Sequence, residues 1–261
     1  MLTSLIISDL HLTNVEEDKI DFFANFCKKY ASKADQLFIL GDLFNTWIGD
    51  DVSLLSYKTI IDILENLSQN TKVFVMVGNR DFLLAKQFEL ESGCNLISEP
   101  YILDHNGDKF LLIHGDSLCT DDISYQKLKR ILRSPITQFV FLKLSKKIRL
   151  KLTGQLRKRS IEAQSYKTEE LMDVNQATTD LLMSNYPGFD LIHGHTHRQK
   201  THTEEKYTRY VLGDWSNAEG NAIKITDKLE GLKSTDLSNS SIELTFNLIF
   251  SSNLGFVLNL T

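Results

Sequence analysis

Cysteine is scarce in this chain of 261 residues, and the few cysteines show no metal-binding spacing. Cys27, Cys94 and Cys119 are odd in number and form no CxxC pair, which argues against a disulfide framework and against a cysteine zinc site. The N-terminus lacks the basic residues of a secretion signal, and its short apolar run soon meets Asp9. No apolar stretch reaches the roughly 18 residues of a membrane-spanning helix. We therefore expect a cytoplasmic protein that does not span a membrane.

An overall excess of positive charge is also missing, which argues against a general nucleic-acid binder. The formal net charge is −5, and a hydrophobic content of 42% is that of an ordinary globular chain with one sizeable core. The cations are nevertheless segregated, because residues 127–159 hold twelve Lys and Arg and no Asp or Glu. Apolar residues alternate with these cations at roughly helical spacing, and we predict a basic, amphipathic helical insertion over residues 123–167.

Such a charge run has two explanations. It is either a solvated helix face, or an element that lies on anionic lipid or caps a phosphorylated apolar substrate. The remaining chain then divides into a core, residues 1–122 and 168–226, and a tail, residues 227–261, whose role the sequence leaves undefined.

Five short apolar runs end in polar, metal-capable side chains. They cover residues 5–7, 36–40, 72–77, 110–113 and 190–192. Helical periodicity over residues 15–33, 53–67 and 168–183 alternates with these strands and favours an α/β layered fold. We predict a hairpin over residues 101–113, with a type I′ turn at Asn106-Gly107. Residues 207–225 are predicted to form the last strands of the core. The ligand crevice of open α/β sheets lies outside the carboxyl ends of the strands, so we expect the five polar tips to converge.

The polar tips predict a metal centre. They mix carboxylate and amide oxygens with imidazoles, which suits Mn²⁺, Fe²⁺ or Zn²⁺ better than Ca²⁺. Seven side chains are too many for one ion, so we expect two ions that share a bridging carboxylate, and Asp42 after Gly41 is the natural bridge. Each motif alone has a structural explanation, such as a cap or a turn, and only the group is specific. His193 faces away from the others by alternation and is interpreted as structural. The predicted ligands are Asp9, His11, Asp42, Asn79, His114, His195 and His197.

The order of these motifs, D-x-H, G-D, G-N, H and G-H-x-H, resembles that of the calcineurin-like metallophosphoesterases over about residues 5–225. The resemblance implies a two-sheet α/β sandwich flanked by helices, with a helical cap and a dinuclear metal centre. It also implies a division of the ligands: one metal takes Asp9, His11, Asp42 and His197, and the other takes Asp42, Asn79, His114 and His195.

This chain departs from the usual motifs of the family at two positions, and these departures narrow the choice of branch within the family. Most members of the family carry a histidine after G-N, whereas Arg80 stands there in this chain, and the usual G-D-x-x-D ends in Asn45. Arg80 is a fixed cationic fork that suits a diphosphate but does not shuttle protons at neutral pH.

With these departures, the chain resembles the branch of the family that hydrolyses UDP-2,3-diacylglucosamine in lipid A synthesis of Gram-negative bacteria. The motifs concerned are GDLFNTWIGDD, GNRDFL, HGDSLCTDD, RKRSIEAQ, MDVN and HGHTHR. The resemblance implies Mn²⁺-dependent release of UMP and 2,3-diacylglucosamine 1-phosphate (lipid X) at the cytoplasmic face of the inner membrane. We expect no nucleic-acid partner, and of the oligomeric states, which the sequence leaves open, we favour a monomer. The implied catalytic residues are Asp42, Asn79, Arg80 and His195, and the implied substrate contacts are Asn79, Arg80, Asp122, Ser160, Gln164, Lys167 and His195.

Three alternatives remain at this stage. Another phosphodiesterase of the same fold would act on a cyclic nucleotide or nucleic acid, but the basic insertion has Phe139 and Phe141 without the Tyr or Trp of a single-strand groove. A metal-free scaffold predicts lost ligands, and all seven are present. A structural metal protein would not need Arg80 and a cationic cap around an open site.

Overall fold

Four neighbouring parallel strands form one side of the larger of two sheets. The computed structural model describes residues 2–164, 166–168, 170–226, 248–250 and 256–260. These parallel strands are β1 (Thr3–Ile7), β2 (Gln36–Leu40), β3 (Lys72–Met76) and β4 (Asn95–Ile97), and β4 lies at the edge.

The smaller sheet begins with the predicted hairpin. Its strands are β5 (Tyr101–His105), β6 (Asp108–Leu112), β7 (Asp190–His193), β8 (Lys200–Thr203) and β9 (Thr208–Val211), in the order β5-β6-β7-β9-β8. Asn106 and Gly107 both have positive φ, 55° and 99°, which confirms the predicted turn class. β6, β7 and β9 run parallel, so their carboxyl ends share one edge.

The last strands of the chain return to the larger sheet. β10 (Gly220–Thr226) pairs antiparallel with β1, and β11 (Leu248–Phe250) and β12 (Phe256–Leu260) extend the same edge. The strand order is β11-β12-β10-β1-β2-β3-β4. Part of the region predicted as a tail therefore pairs with the core sheet, whereas its Ser- and Asn-rich stretch, residues 234–241, lies outside the described residues.

Two predicted helix spans differ from the observed helices, and the helix Lys86–Ser92 was not predicted. The predicted helix over residues 53–67 is wrong as a single element, because Tyr57 separates two helices; its hydroxyl donates to Thr46 O at 2.9 Å and its ring stacks on Trp47. The predicted helix over residues 168–183 starts late, because the Asn175 side chain accepts from Thr178 N at 2.9 Å and caps it. The helices are α1 (Glu17–Lys29), α2 (Asp50–Ser56), α3 (Lys58–Ser68), α4 (Lys86–Ser92), α5 (Ile123–Leu132), α6 (Pro135–Lys143), α7 (Lys146–Gln164) and α8 (Gln176–Ser184), with 3-10 turns at Ala31–Lys33 and Glu170–Met172.

Alternating side chains divide the core into layers. Ile6 and Phe38 pack with Ile192 between the two sheets, whereas Leu5 and Ile7 face the helices on the outer side of the larger sheet. A third cluster lies under α8 on the smaller sheet. The architecture is a two-sheet sandwich flanked by helices, as predicted. It holds the carboxyl ends of β1, β2, β3, β6 and β7 on one side of the molecule.

The residues predicted as a helical insertion form α5, α6 and α7, and most of their large apolar side chains are exposed. No residue of α5 or α6 is buried, and Ile136 and Phe139 are 76% and 63% exposed. Phe141, by contrast, packs against the core cluster of the larger sheet. Among the described residues, no helix combines the length and apolarity needed to cross a membrane.

Candidate metal centre

Seven side chains from five strand ends meet at one place. Two overlapping groups have ligand atoms that all lie within 4.8 Å of one another, and both groups contain Asp9. The groups are Asp9, His11 and His197, and Asp9, Asp42 and His114. Asn79 contacts His114 of the second group and also contacts His195. The structure therefore brings together every residue that the sequence predicted as a ligand.

The first cluster consists of Asp9, His11 and His197. Asp9 Oδ1 lies 3.4 Å from His197 Nε2 and 4.0 Å from His11 Nε2, and the two imidazole nitrogens are 3.2 Å apart. Asp9 Oδ1 and His11 Nδ1 are buried and have no hydrogen-bond partner among the described residues. Buried polar atoms normally find partners, so this arrangement fits a cation held by these side chains.

The second cluster consists of Asn79, His114 and His195. Asn79 Oδ1 lies 3.0 Å from His114 Nε2 and 3.0 Å from His195 Nδ1. His114 Nδ1 is 2.8 Å from Leu40 O, a contact that places the proton on Nδ1 and leaves Nε2 to act as a ligand. An amide oxygen and two imidazole nitrogens thus point at a common position.

Asp42 lies between the two clusters. Its Oδ2 is 3.7 Å from His11 Nδ1, and its Oδ1 is 3.9 Å from His114 Nε2. One oxygen faces each cluster, which is the placement that a bridging carboxylate requires. The backbone N–H of Arg80 donates to Oδ1 at 2.9 Å and fixes the carboxylate plane.

Among the described non-glycine residues, most of those with a left-handed backbone are ligand candidates. Such a conformation costs about 1 kcal/mol or more for a residue with a side chain and tends to cluster at functional sites. The sixth described non-glycine residue of this kind is Asn106 of the hairpin turn. The others are Asp9 (φ 56°), His11 (φ 50°), Asp42 (φ 52°), His195 (φ 67°) and His197 (φ 58°).

Glycines allow the strand ends to approach one another. A Cβ atom on Gly78 would lie 2.1 Å from Asp42 Oδ1, and one on Gly194 would lie 2.1 Å from Asp9 Oδ2. Neither distance is sterically possible. The glycines of the G-N and G-H-x-H motifs are therefore explained by the contact between neighbouring ligand loops.

Burial and mutual repulsion shift the protonation of the site. Burial raises the pKa of Asp42 to about 7, despite the opposing charge of His114 and with help from Asp81 and Asp9. Burial would lower the pKa of His114, but Asp42 and other carboxylates raise it to about 9. Burial lowers the pKa of His195 to about 3, so that ring is neutral at pH 7. The charged form of the Asp42 carboxylate is thus disfavoured by burial and by its acidic neighbours, and added positive charge would stabilise it.

Arg80 is the fixed cation beside the clusters. Its Nε lies 3.5 Å from Asp42 Oδ2, and its Nη1 donates to Asn45 Oδ1 at 3.1 Å. Asn45 is the residue that departs from the usual G-D-x-x-D motif, and it orients this guanidinium. From α7, Arg157 Nη1 reaches Asn45 O and Thr46 Oγ1 at 3.4 Å each. Two guanidinium groups thus meet at Asn45, beside the metal ligand Asp42.

The predicted substrate contacts are only partly brought together. Lys167 Nζ donates to Asp122 Oδ2, and Asp122 Oδ1 accepts from Tyr125 N at 3.0 Å. The Tyr125 ring lies 5.8 Å from the His195 ring, which connects this pair to the second cluster. Ser160 is exposed on α7. Gln164 is the last residue of α7, and its side chain lies outside the described part of the structure.

Two residues that support the predicted ligands were not predicted from the sequence. Ser8 Oγ donates to Asp9 Oδ2 at 2.5 Å, and Asp81 is fully buried and accepts from Gly78 N at 2.7 Å. Both hold a ligand loop rather than an ion. In the sequence, each of them is recognisable only as a polar residue near a predicted ligand, and this pattern is too common in surface loops to identify a supporting residue. His193 is buried, with Nδ1 at 2.9 Å from Gly194 O, and does not join either cluster.

Comparison with known proteins gives consistent results. The family model described as calcineurin-like phosphoesterase matches residues 2–199. A UDP-2,3-diacylglucosamine hydrolase of Haemophilus influenzae (strain PittGG) is 38% identical, over 88% of this chain and 98% of its own length. Proteins of the same name from Yersinia enterocolitica and Ectopseudomonas mendocina are each 41% identical, over 89% and 85% of this chain and 99% and 93% of theirs.

Proposed function

Because this chain belongs to the calcineurin-like phosphoesterase family, we propose that it hydrolyses UDP-2,3-diacylglucosamine in lipid A synthesis. Water attacks the α-phosphorus, the bond from that phosphorus to the bridging oxygen breaks, and the products are UMP and 2,3-diacylglucosamine 1-phosphate. The observation that carries the proposal is Asp42, whose two oxygens face two ligand clusters while Arg80 lies 3.5 Å away. A dinuclear centre beside a fixed cationic fork suits a diphosphate.

The donor set supports two divalent ions, which we propose to be Mn²⁺. Asp9, His11 and His197 with Asp42 would hold one ion, and Asn79, His114 and His195 with Asp42 would hold the other. Mixed oxygen and imidazole donors suit this part of the transition series. When bound, such ions provide a nucleophile from water at neutral pH and neutralise phosphate oxygens.

The side chains of the chain itself bind and orient the diphosphate. Arg80 stabilises the charge that develops on the phosphate oxygens, whereas His195, whose pKa is lowered to about 3 by burial, is a neutral imidazole at pH 7. Burial and the charge of Arg80 lower the pKa of Arg157, which indicates that the two guanidinium groups share one region. A diphosphate in that region relieves their repulsion. Release of UMP as a phosphate monoester reduces the need for a strong general acid.

The Asp122–Lys167 pair supports a second contact region. Its position next to Tyr125, which touches the His195 ring, suits the sugar end of the substrate. We propose that Ser160 and Gln164 of α7 complete this region. These side chains hold the substrate in place, so their removal should raise KM more than it lowers kcat.

We also propose that the enzyme works as a monomer at the cytoplasmic face of the inner membrane. The cap formed by α5, α6 and α7 combines exposed apolar residues, such as Ile136 and Phe139, with the cations of residues 127–159. That combination suits anionic lipid and an acylated substrate. Sedimentation with phosphatidylglycerol vesicles, but not with neutral vesicles, is the expected result.

The test of the function is UMP release by metal-stripped protein with and without added Mn²⁺. A nitrophenyl phosphodiester and a cyclic nucleotide serve as comparison substrates. We expect fast Mn²⁺-dependent release from UDP-2,3-diacylglucosamine, loss of that release in His197→Asn, and retention in the control His202→Asn, which changes a histidine of β8 outside both clusters. Brisk hydrolysis of the simple diesters without UMP release would overturn the substrate and leave the fold and metals intact.

A further inference from the structure

A buried carboxylate near the metal centre is not used in the proposed chemistry. Asp116 is 0% exposed and lies two residues after His114. Its Oδ2 accepts hydrogen bonds from Tyr125 Oη at 2.8 Å and from Arg133 Nη2 at 3.0 Å. Its Oδ1 accepts one from Lys129 Nζ at 2.8 Å. We call these four residues the Asp116 hub.

The three donors of the hub come from one face of the first cap helix. They lie four residues apart along α5 and its C-cap, so their side chains project from the same side. Gln126 adds hydrogen bonds to the backbone oxygens of Asp116 and Cys119, at 2.8 and 2.9 Å. Because no residue of α5 is buried, polar contacts rather than apolar packing dock this helix on the loop after β6.

Two of the donors also contact the segments that carry the second cluster. Arg133 Nη2 donates to Gly78 O at 3.0 Å, and Gly78 directly precedes Asn79. The Tyr125 ring lies 5.8 Å from the ring of His195. Lys129 differs, because its one hydrogen bond among the described residues is made with Asp116. The hub therefore connects α5 with all three strand ends of the second cluster.

We propose that Asp116 is a positioning residue that couples the placement of the cap helix α5 to the geometry of the second cluster. Through Arg133 it fixes the Gly78-Asn79 turn, and through Tyr125 it supports the ring of His195. The coupling is reciprocal, so an ion held by the second cluster also steadies α5. This proposal rests on the proposed function, because it assigns a role in assembling that same metal site under the cap.

A matched pair of variants distinguishes the proposed coupling between α5 and the second cluster from the loss of one positive charge beside Asp116. Arg133→Met and Lys129→Met each remove one cation from Asp116, and the two side chains are similarly exposed, at 24% and 16%. Only Arg133 also contacts Gly78 O. In Mn²⁺ titrations of metal-stripped protein, we expect Arg133→Met to weaken one of two sites by about tenfold or more. Lys129→Met should bind both ions nearly as the unchanged protein does.

Hydrogen exchange of the α5 amides provides a second readout. Mn²⁺ should slow their exchange in the unchanged protein and in Lys129→Met, and this slowing should disappear in Arg133→Met. Equal metal affinities in the two variants, or equal slowing by Mn²⁺, would overturn the coupling and leave Asp116 as a helix anchor. Neither readout uses the substrate, so failure of the proposed function, seen as absent UMP release, is distinguished from failure of this proposal.

Discussion

Removing the hydroxyl of Ser8 tests whether Asp9 is held for metal binding. Asp9 Oδ2 accepts from Ser8 Oγ at 2.5 Å and from His195 N at 2.8 Å, whereas Oδ1 has no hydrogen-bond partner among the described residues. The carboxylate is thus oriented through one oxygen, and the other is left for an ion. Ser8→Ala removes one of the two orienting bonds and changes no predicted ligand.

The expected loss follows from the remaining contact. A hydrogen bond to a charged group contributes about 1.5–3 kcal/mol, and loss of a partner that orients a metal ligand typically lowers affinity about 10–100-fold. Because the His195 N–H still holds Oδ2, we expect the lower part of that range, about 10–30-fold weaker Mn²⁺ binding. One of the two ions should be affected.

Calorimetric titration of metal-stripped protein with Mn²⁺ measures this loss, and Ser4→Ala is the matched control. Ser4 is also buried and belongs to the same strand region, but its Oγ contacts His105 Nδ1 at 3.0 Å and Gln36 Nε2 at 2.7 Å, away from the site. Ser4→Ala should lose about 1 kcal/mol of unfolding free energy, because its partners His105 and Gln36 are uncharged, and Ser8→Ala should lose about 1.5–3 kcal/mol. If Ser4→Ala weakens Mn²⁺ binding as much as Ser8→Ala, or if neither does, the assigned role of Ser8 is refuted.

Three further predictions concern the centre itself. Asp42→Ala should bind neither ion tightly and should abolish turnover, as measured by metal content and UMP release; near-normal activity would refute the bridging role. Arg80→Ala should lower kcat by about 100-fold with unchanged Mn²⁺ content, and unchanged kinetics would make Arg80 a bystander. His114, with its pKa raised to about 9 by Asp42 against the effect of burial, is protonated at pH 7.5 and must lose that proton to bind an ion. Mn²⁺ binding should therefore release a proton and strengthen up to about pH 9, and a binding enthalpy that is independent of the buffer would contradict this.

The parts of the fold that the sequence predicted are those set by local periodicity. Residues 36–40 alternate between the two faces of a sheet, with Phe38 toward the other sheet and Leu37 toward the helices, and their strand was predicted with correct ends. The break at Tyr57 was not predictable, because it depends on contacts with Thr46 and Trp47. β4 and β8 were missed because they are short and only half buried.

The same distinction applies to the site. The ligand positions follow from motifs at strand ends, since parallel strands bring their carboxyl ends to one edge. The residues that orient the ligands do not form motifs of their own. Asp81 and Asp116 are recognisable only once the loops that they join are placed, and the contact of Arg133 with Gly78 O spans 55 residues of sequence. Tertiary structure decides these roles.

The backbone and the ligand chemistry of this site select the same kinds of residue. Five ligand candidates have a left-handed backbone, which glycine adopts without cost. Glycine has no side chain that could bind an ion, however. Among residues with side chains, Asp, Asn and His tolerate this conformation best. These are also the residue types that supply oxygen and imidazole donors. Sharp turns at the strand ends therefore aim the ligands inward, and the surrounding sandwich core, with Ile6, Phe38 and Ile192 packed between its sheets, opposes the strain.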